Sequence, residues 1–260
     1  TTGVVWARAN SGGAWASVEL MRIADDKAQK LFDICFEVLD GPDAPDLTIE
    51  TSEDEFIFIL TNSQNSNNFN ESYEVQDLIN ISGYYDDAQT LPYRDTYNFE
   101  GYQVFQLIDE FTLITEINDP SQAQLVYQSD LKNYRAEDGS PTPEETDSPI
   151  DYLINYEYSI SLGADVPQNM TVEASNDGIF NSFIIDRDFF ESASSPLDPT
   201  KKYYYTVIAY AYNEYLQYAQ DAVPNPDNIY APSFEGQKKP FLAGRHNIMT
   251  YEVIHNDIIY

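Results

Sequence analysis

The sequence predicts a mainly β protein: a β-sandwich with long loop insertions, preceded by a strand and an amphipathic α-helix. Residues 203–212 alternate two faces, Tyr203, Tyr205, Val207, Ala209 and Ala211 on one and Tyr204, Thr206, Ile208, Tyr210 and Tyr212 on the other. A period of two in aromatic and β-branched residues marks a strand. Further short runs of this kind recur between residues 47 and 254, each bounded by turn-forming residues. Near the start, Met21, Ala24, Ala28, Leu31, Cys35 and Val38 are spaced alternately three and four apart, one apolar helical stripe.

Taken in order, residues 3–9 (GVVWARA) read as a short strand. Ser17 caps a helix that runs to about Leu39 and stops at Asp40-Gly41-Pro42. Pro42–Thr48 reads as a proline-punctuated linker. Residues 1–41 are therefore expected to be the end of a preceding domain, and residues 42–260 the sandwich. Leu47–Glu50 and Glu55–Thr61 supply its first two strands, and residues 62–98 form a polar excursion rich in Asn and Tyr. Tyr102–Leu107 is a central strand and Thr112–Ile117 another, while Gln122–Asp130 reads as a short helix passing into a strand. Tyr134–Pro149 is acidic, carries three prolines and is expected to be an exposed, mobile loop. Leu153–Ser161, Gly178–Ile185 and Asn247–Ile254 complete the strands.

Composition excludes several functions. The 260 residues include 44 acidic and 13 basic side chains, a net charge of −31. Nucleic acid and anionic membrane surfaces both need clustered Lys and Arg to replace counterions, so neither is an expected partner. No run approaches the length needed to insert in a bilayer. Cys35 is the single cysteine and lies on the helical stripe, a structural thiol. With only His246 and His255 besides, both read as surface residues, no zinc or copper cluster is available. No nucleophile turn of the G-x-S-x-G type occurs, and carboxylates are too widespread for any pair to stand out. No catalytic residue is assigned.

Two binding chemistries keep a physical case. Calcium takes hard oxygen ligands, and Asp86-Asp87 and the loop holding Asn225, Asp227 and Asn228 offer them, without the spacing of a dedicated calcium loop. Aromatic residues make up 14% of the chain, 21 of them Tyr. Tyr84, Tyr85, Tyr93 and Tyr97 crowd the first excursion, and Tyr210, Tyr212, Tyr215 and Tyr218 the end of the long strand; exposed tyrosines there would contact a carbohydrate or a protein partner, or else cover the sandwich and pin the loops down.

Leu197-x-Pro199 with Tyr203 four residues after the proline, followed by alternating Val and Ala, resembles the E–F corner and F strand of fibronectin type III domains. The resemblance implies a fibronectin-III/immunoglobulin-like fold, with Tyr203 or Tyr205 buried beside Leu197 and a tyrosine hydroxyl bonded to the loop backbone. Four segments, GVVWARANSGGAWASVELMRIADDKAQKLFD (3–33), GPDAPDLTI (41–49), NFEGYQVFQL (98–107) and YYYTVIAYAYN…GQKKPFLAGRHNI (203–248), are similar to a region of large secreted or surface proteins of Bacteroidota. That likeness implies a module of a longer polypeptide exported by the type IX secretion system, extracellular or on the cell surface. Its implied partners are other domains of the same polypeptide or surface and secretion proteins. It carries over no catalytic residue. The expected function is a non-catalytic structural or adhesive module; the alternative is a carbohydrate-binding module using the tyrosine-rich loops.

Overall fold

The computed structural model describes residues 9, 13–33, 39–52, 54–77, 96–135, 141–145, 148–172, 176–192, 195–214, 218 and 237–254. The protein is mainly β and its sheets are antiparallel. Helix α1 spans Ala14–Asp33. It starts before Ser17, whose backbone N–H and hydroxyl both donate to the Gly13 carbonyl at 3.0 and 2.9 Å, so Ser17 lies inside the first turn rather than capping it. Met21 and Ala28 of the expected stripe are exposed and Ala24 and Leu31 half-buried, and no described α1 side chain joins either core. Cys35, Val38 and residues 3–8 of the expected first strand lie outside the described residues. Among the described residues no helix is long and apolar enough to cross a membrane.

Residues 39–45 span the expected helix stop and the first part of the expected Pro42–Thr48 linker, and differ from both. They form a strap locked to the body, with Gly41, Pro42, Ala44 and Pro45 buried. The Tyr73 hydroxyl donates to the Asp40 carbonyl at 2.5 Å. Asn67 donates to the Gly41 carbonyl, and the Ala44 N–H donates to the His246 carbonyl at 3.1 Å. A Cβ on Gly41 would stand 2.5 Å from the Ala243 carbonyl oxygen, and one on Gly244 1.7 Å from that of Pro42, so only glycine permits this backbone approach.

Among the described residues fourteen strands follow: β1 (Asp46–Thr51), β2 (Phe56–Thr61), β3 (Glu74–Gln76), β4 (Thr96–Leu107), β5 (Ala123–Asp130), β6 (Tyr134–Arg135), β7 (Pro141–Thr142), β8 (Ser148–Pro149), β9 (Ile154–Ser159), β10 (Ala164–Asn169), β11 (Ser182–Ile185), β12 (Lys202–Tyr212), β13 (Phe241–Ala243) and β14 (Tyr251–Ile254). One sheet has the order β1-β2-β11. The larger sheet is centred on β4 and β12: β3 and β5 flank β4, and β13 and β14 flank β12. Smaller sheets are the β9–β10 hairpin and the order β7-β6-β8.

The expected face of β12 is buried, and so is the other one. Tyr203, Tyr205, Val207, Ala209 and Ala211 enter a first core with Leu47, Phe56, Phe58, Leu60 and Ile185 of the other sheet. There Phe58 meets Tyr205 edge-to-face at 4.8 Å, and Phe56 meets Tyr203 at 5.6 Å. Ile208, Tyr210 and Tyr212 enter a second core with Phe105, Leu107, Ile150, Leu153 and Phe241. The corner is formed as expected: Leu197 is buried, and the Tyr203 phenol oxygen accepts the Asp198 N–H at 2.6 Å.

Several local expectations are corrected. Thr112–Ile117 is not a strand; Asp109 accepts the Phe111 N–H, Glu116 accepts the Leu113 N–H, and a 3₁₀ turn spans Ile114–Glu116. Gln122–Asp130 has no helix, because Ala123–Asp130 pairs along β4, with one break in register at Val126. The polar excursion contains β3, and the central strand begins at Thr96 rather than Tyr102. Tyr134–Pro149 is more than an exposed loop, since β6, β7 and β8 form within it and Arg135 is half-buried against β12. Strands β10 and β13 were not anticipated: one contains Pro167 and the other is only three residues long.

Candidate functional site

Beneath the second face lies a polar cluster that begins with a β-bulge. In the β4–β12 register Tyr210 faces Gly101 and Ala211 faces Phe99, leaving Glu100 as the extra residue. Gly101 is required there, because a Cβ would stand 2.6 Å from the Tyr210 hydroxyl and 2.3 Å from the Ser129 carbonyl oxygen. Asp130 of β5 pairs with Gly101 from the other side, so Tyr210 and Asp130 flank the glycine on one face. Glu100, Asp130 and Tyr210 are all at most 1% exposed.

Electrostatics follow from that burial. Burial, reinforced by the neighbouring Asp130, pushes the Glu100 carboxyl well above the usual range, while Asn133 and Arg135 pull partly the other way. Burial and the neighbouring Asp130 act in the same sense on Glu100, both disfavouring its charged form. The Asn133 amide donates to Glu100 Oε2 at 3.1 Å. Burial, with Asp130 and Glu100 adding, likewise pushes the Tyr210 phenol far up.

Arg135 links this cluster to the surface. Its Nη2 lies 2.5 Å from Glu214 Oε2, and its Nε donates to the Tyr212 hydroxyl at 3.1 Å. Burial raises the pKa of Glu214, with Arg135 opposing. Above this pair opens a cleft of about 240 Å³ whose walls include Tyr152, Ile154, Tyr156, Tyr218 and Pro240. Tyr156 and Tyr218 pack with ring centroids 4.5 Å apart. Tyr218 also donates to Asp165, which Lys238 pairs at 2.9 Å. The walls are held from behind: the Asn155 amide group bonds both the N–H and the carbonyl of Phe241 at 3.1 Å, and Thr171 Oγ1 accepts the Leu153 N–H at 2.7 Å. The carboxyl pair is closed to solvent, whereas the cleft offers aromatic faces above a neutralised ion pair.

Of the residues singled out from the sequence, Tyr84, Tyr85, Tyr93, Asp86, Asp87 and Asp227 lie outside the described residues, as do Asn225, Asn228 and His255. Tyr97 is corrected as a contact residue. It is 4% exposed in the first core, donates to the Lys239 carbonyl at 2.7 Å and accepts from Gln237 at 3.0 Å. The reason is the earlier start of β4, which places Tyr97 on an inward face. His246 is exposed, its Nδ1 3.0 Å from the Asp40 carboxylate. Among the described residues no group of three or more His, Cys, Asp or Glu side chains converges to hold a metal ion. Glu100, Asp130, Arg135, Glu214 and the cleft tyrosines were not anticipated as a set. The available signal was Glu100-Gly101 inside an aromatic strand, the pattern of a bulge. Compared with known proteins, the chain matches no family model, no curated protein and no solved structure.

Proposed function

We propose that this chain is a fibronectin-III-like β-sandwich serving as a non-catalytic structural or adhesive module of a larger surface protein, extracellular and exported by the type IX route of Bacteroidota. The observation that supports it most is the corner, where Tyr203 accepts the Asp198 N–H beside buried Leu197, as the resemblance implies. The buried acids fit the same reading, because Glu100 and Asp130 have no route to a substrate. Its partners are neighbouring domains of the same polypeptide and other surface proteins. The test is antibody labelling of intact source cells, paired with assays on chromogenic glycosides and peptides. Surface labelling without turnover is expected. Labelling only after lysis sinks the extracellular reading, and turnover abolished by Glu214→Gln sinks the non-catalytic one.

A second reading, a carbohydrate-binding module, is favoured by one observation: the tyrosine-walled cleft over Arg135 and Glu214. It moves the contact surface from the excursion tyrosines to Tyr152 and Tyr156.

A further inference from the structure

We infer that the cleft between β9 and the Arg135–Glu214 pair is a subsite for one neutral sugar ring, an inference that rests on the second reading above. Size is the first argument. Pockets for drug-sized ligands measure about 300–1,000 Å³, whereas this cleft holds about 240 Å³, the scale of a single ring. Shape and chemistry are the second. Tyr152 and Tyr156 are two residues either side of Ile154, so they share a face of this extended segment, and both line the cleft with Tyr218. Tyrosine faces carry negative quadrupole charge, which attracts the C–H face of a pyranose.

The floor supplies what a polyol edge requires. Arg135 offers planar N–H donors and Glu214 carboxylate acceptors, and their side chains retain 27% and 10% exposure. Each neutralises the other, so a ligand need bring no charge of its own. An anionic sugar meets the additional field of a chain carrying −31. The walls are already fixed by the Asn155 and Thr171 bonds, so little ordering cost attends binding. Tyr152 stands at the rim, 41% exposed, where its ring is accessible for stacking.

The experiment is saturation-transfer NMR on the full chain with glucose, mannose, galactose and N-acetylglucosamine at millimolar concentration, and glucuronate as the charged comparison. Saturation should reach the ring protons of at least one neutral sugar and be weaker for glucuronate. Tyr152→Ala should weaken binding about tenfold, Tyr152→Phe should retain it, and Tyr158→Ala, exposed and outside the cleft, should leave it unchanged. Tyr152 is exposed enough that its truncation leaves the fold intact, which a thermal melt verifies. No transfer to any neutral sugar, or transfer that survives Tyr152→Ala, overturns the inference. Binding lost equally in Tyr152→Phe overturns the stacking role. Neither result touches the module reading, which stands on the corner and on surface labelling.

Discussion

The two faces of the central sheet are built on opposite principles. Toward the β1-β2-β11 sheet, β4 and β12 present aromatic rings and small residues, and three of the four tyrosine hydroxyls find a partner, Tyr203 with Asp198, Tyr97 with Lys239 and Tyr102 with Asn62, while that of Tyr205 is buried without one among the described residues. On the opposite side the same strands bury Phe105 and Ile208 beside Glu100, Asp130 and Glu214, charges and dipoles that must be balanced inside. One face gains stability from apolar area removed from water. The other is held by matching partners, and any loss of a partner leaves a costly group behind. Two tyrosines of identical sequence character, Tyr205 and Tyr210, thus do different work according to which side their parity assigns them.

The largest expected effect lies on the apolar face. Tyr205→Ala should cost about 3–5 kcal/mol, the range for truncating a buried aromatic, which calorimetry would read as a drop in Tm of several degrees. A loss below about 1 kcal/mol would break the contrast between the faces. Next is Gly101→Ala, which drives a methyl against the Ser129 carbonyl and the Tyr210 hydroxyl. We expect about 1–3 kcal/mol from overpacking, and an unchanged denaturant midpoint would show that Tyr210 can vacate its place over the glycine.

The third test concerns charge. Glu100 binds its proton more tightly folded than unfolded, so its contribution to stability is complete below about pH 4.3 and is lost as pH rises through the raised folded value. Asp130, Asn133, Arg135 and Tyr210 are the groups facing it. Tm should therefore decline toward alkaline pH, and Glu100→Gln should flatten that decline, gaining about 1–3 kcal/mol at the alkaline end. A pH profile identical in the variant would sink the assignment. Asp188 works in the opposite sense: burial opposes its charge, but Lys201, Gln106 and the Phe190 N–H hold its pKa below the ordinary value. Stability it supplies is lost as pH falls through that lowered value, so the two windows separate. The smallest effect is Tyr203→Phe, which removes only the acceptor for the Asp198 N–H and should cost about 0.5–1.5 kcal/mol. A larger loss would mean that the corner organises more than its own turn.

The contrast also explains what could be read from the sequence. The first face was legible because alternation and the Leu197–Tyr203 spacing are local, and each inward residue is apolar. The second face was not, because its polar members meet only through pairing: Glu100 reaches Asn133 just beyond the end of β5, and Arg135 meets Glu214 some eighty positions away. An acid in a strand reads as solvent-facing until a bulge turns it inward. Likewise β10, with Asp165 and Pro167, looks like a loop until its hairpin partner β9 is known. Pro42–Pro45 reads as linker for the same reason, since two prolines punctuate it and the backbone this segment presses against is two hundred residues distant.

That strap sets how the body would respond to tension. Gly41 lies against Ala243, Pro42 against Gly244, and the Ala44 N–H donates to His246, so the two segments run side by side in the same direction. Asn247, in a left-handed conformation, adds a side-chain bond to the Ala44 carbonyl at 2.8 Å. Pulled from residue 39 at one end and residue 254 at the other, parallel neighbours must slide past each other, loading their contacts together instead of opening them one by one. We expect single-molecule stretching to show a distinct force peak that Asn247→Ala lowers; an unaltered peak would place the resistance elsewhere. A segment that reads as slack would then be the first part of the chain to bear load.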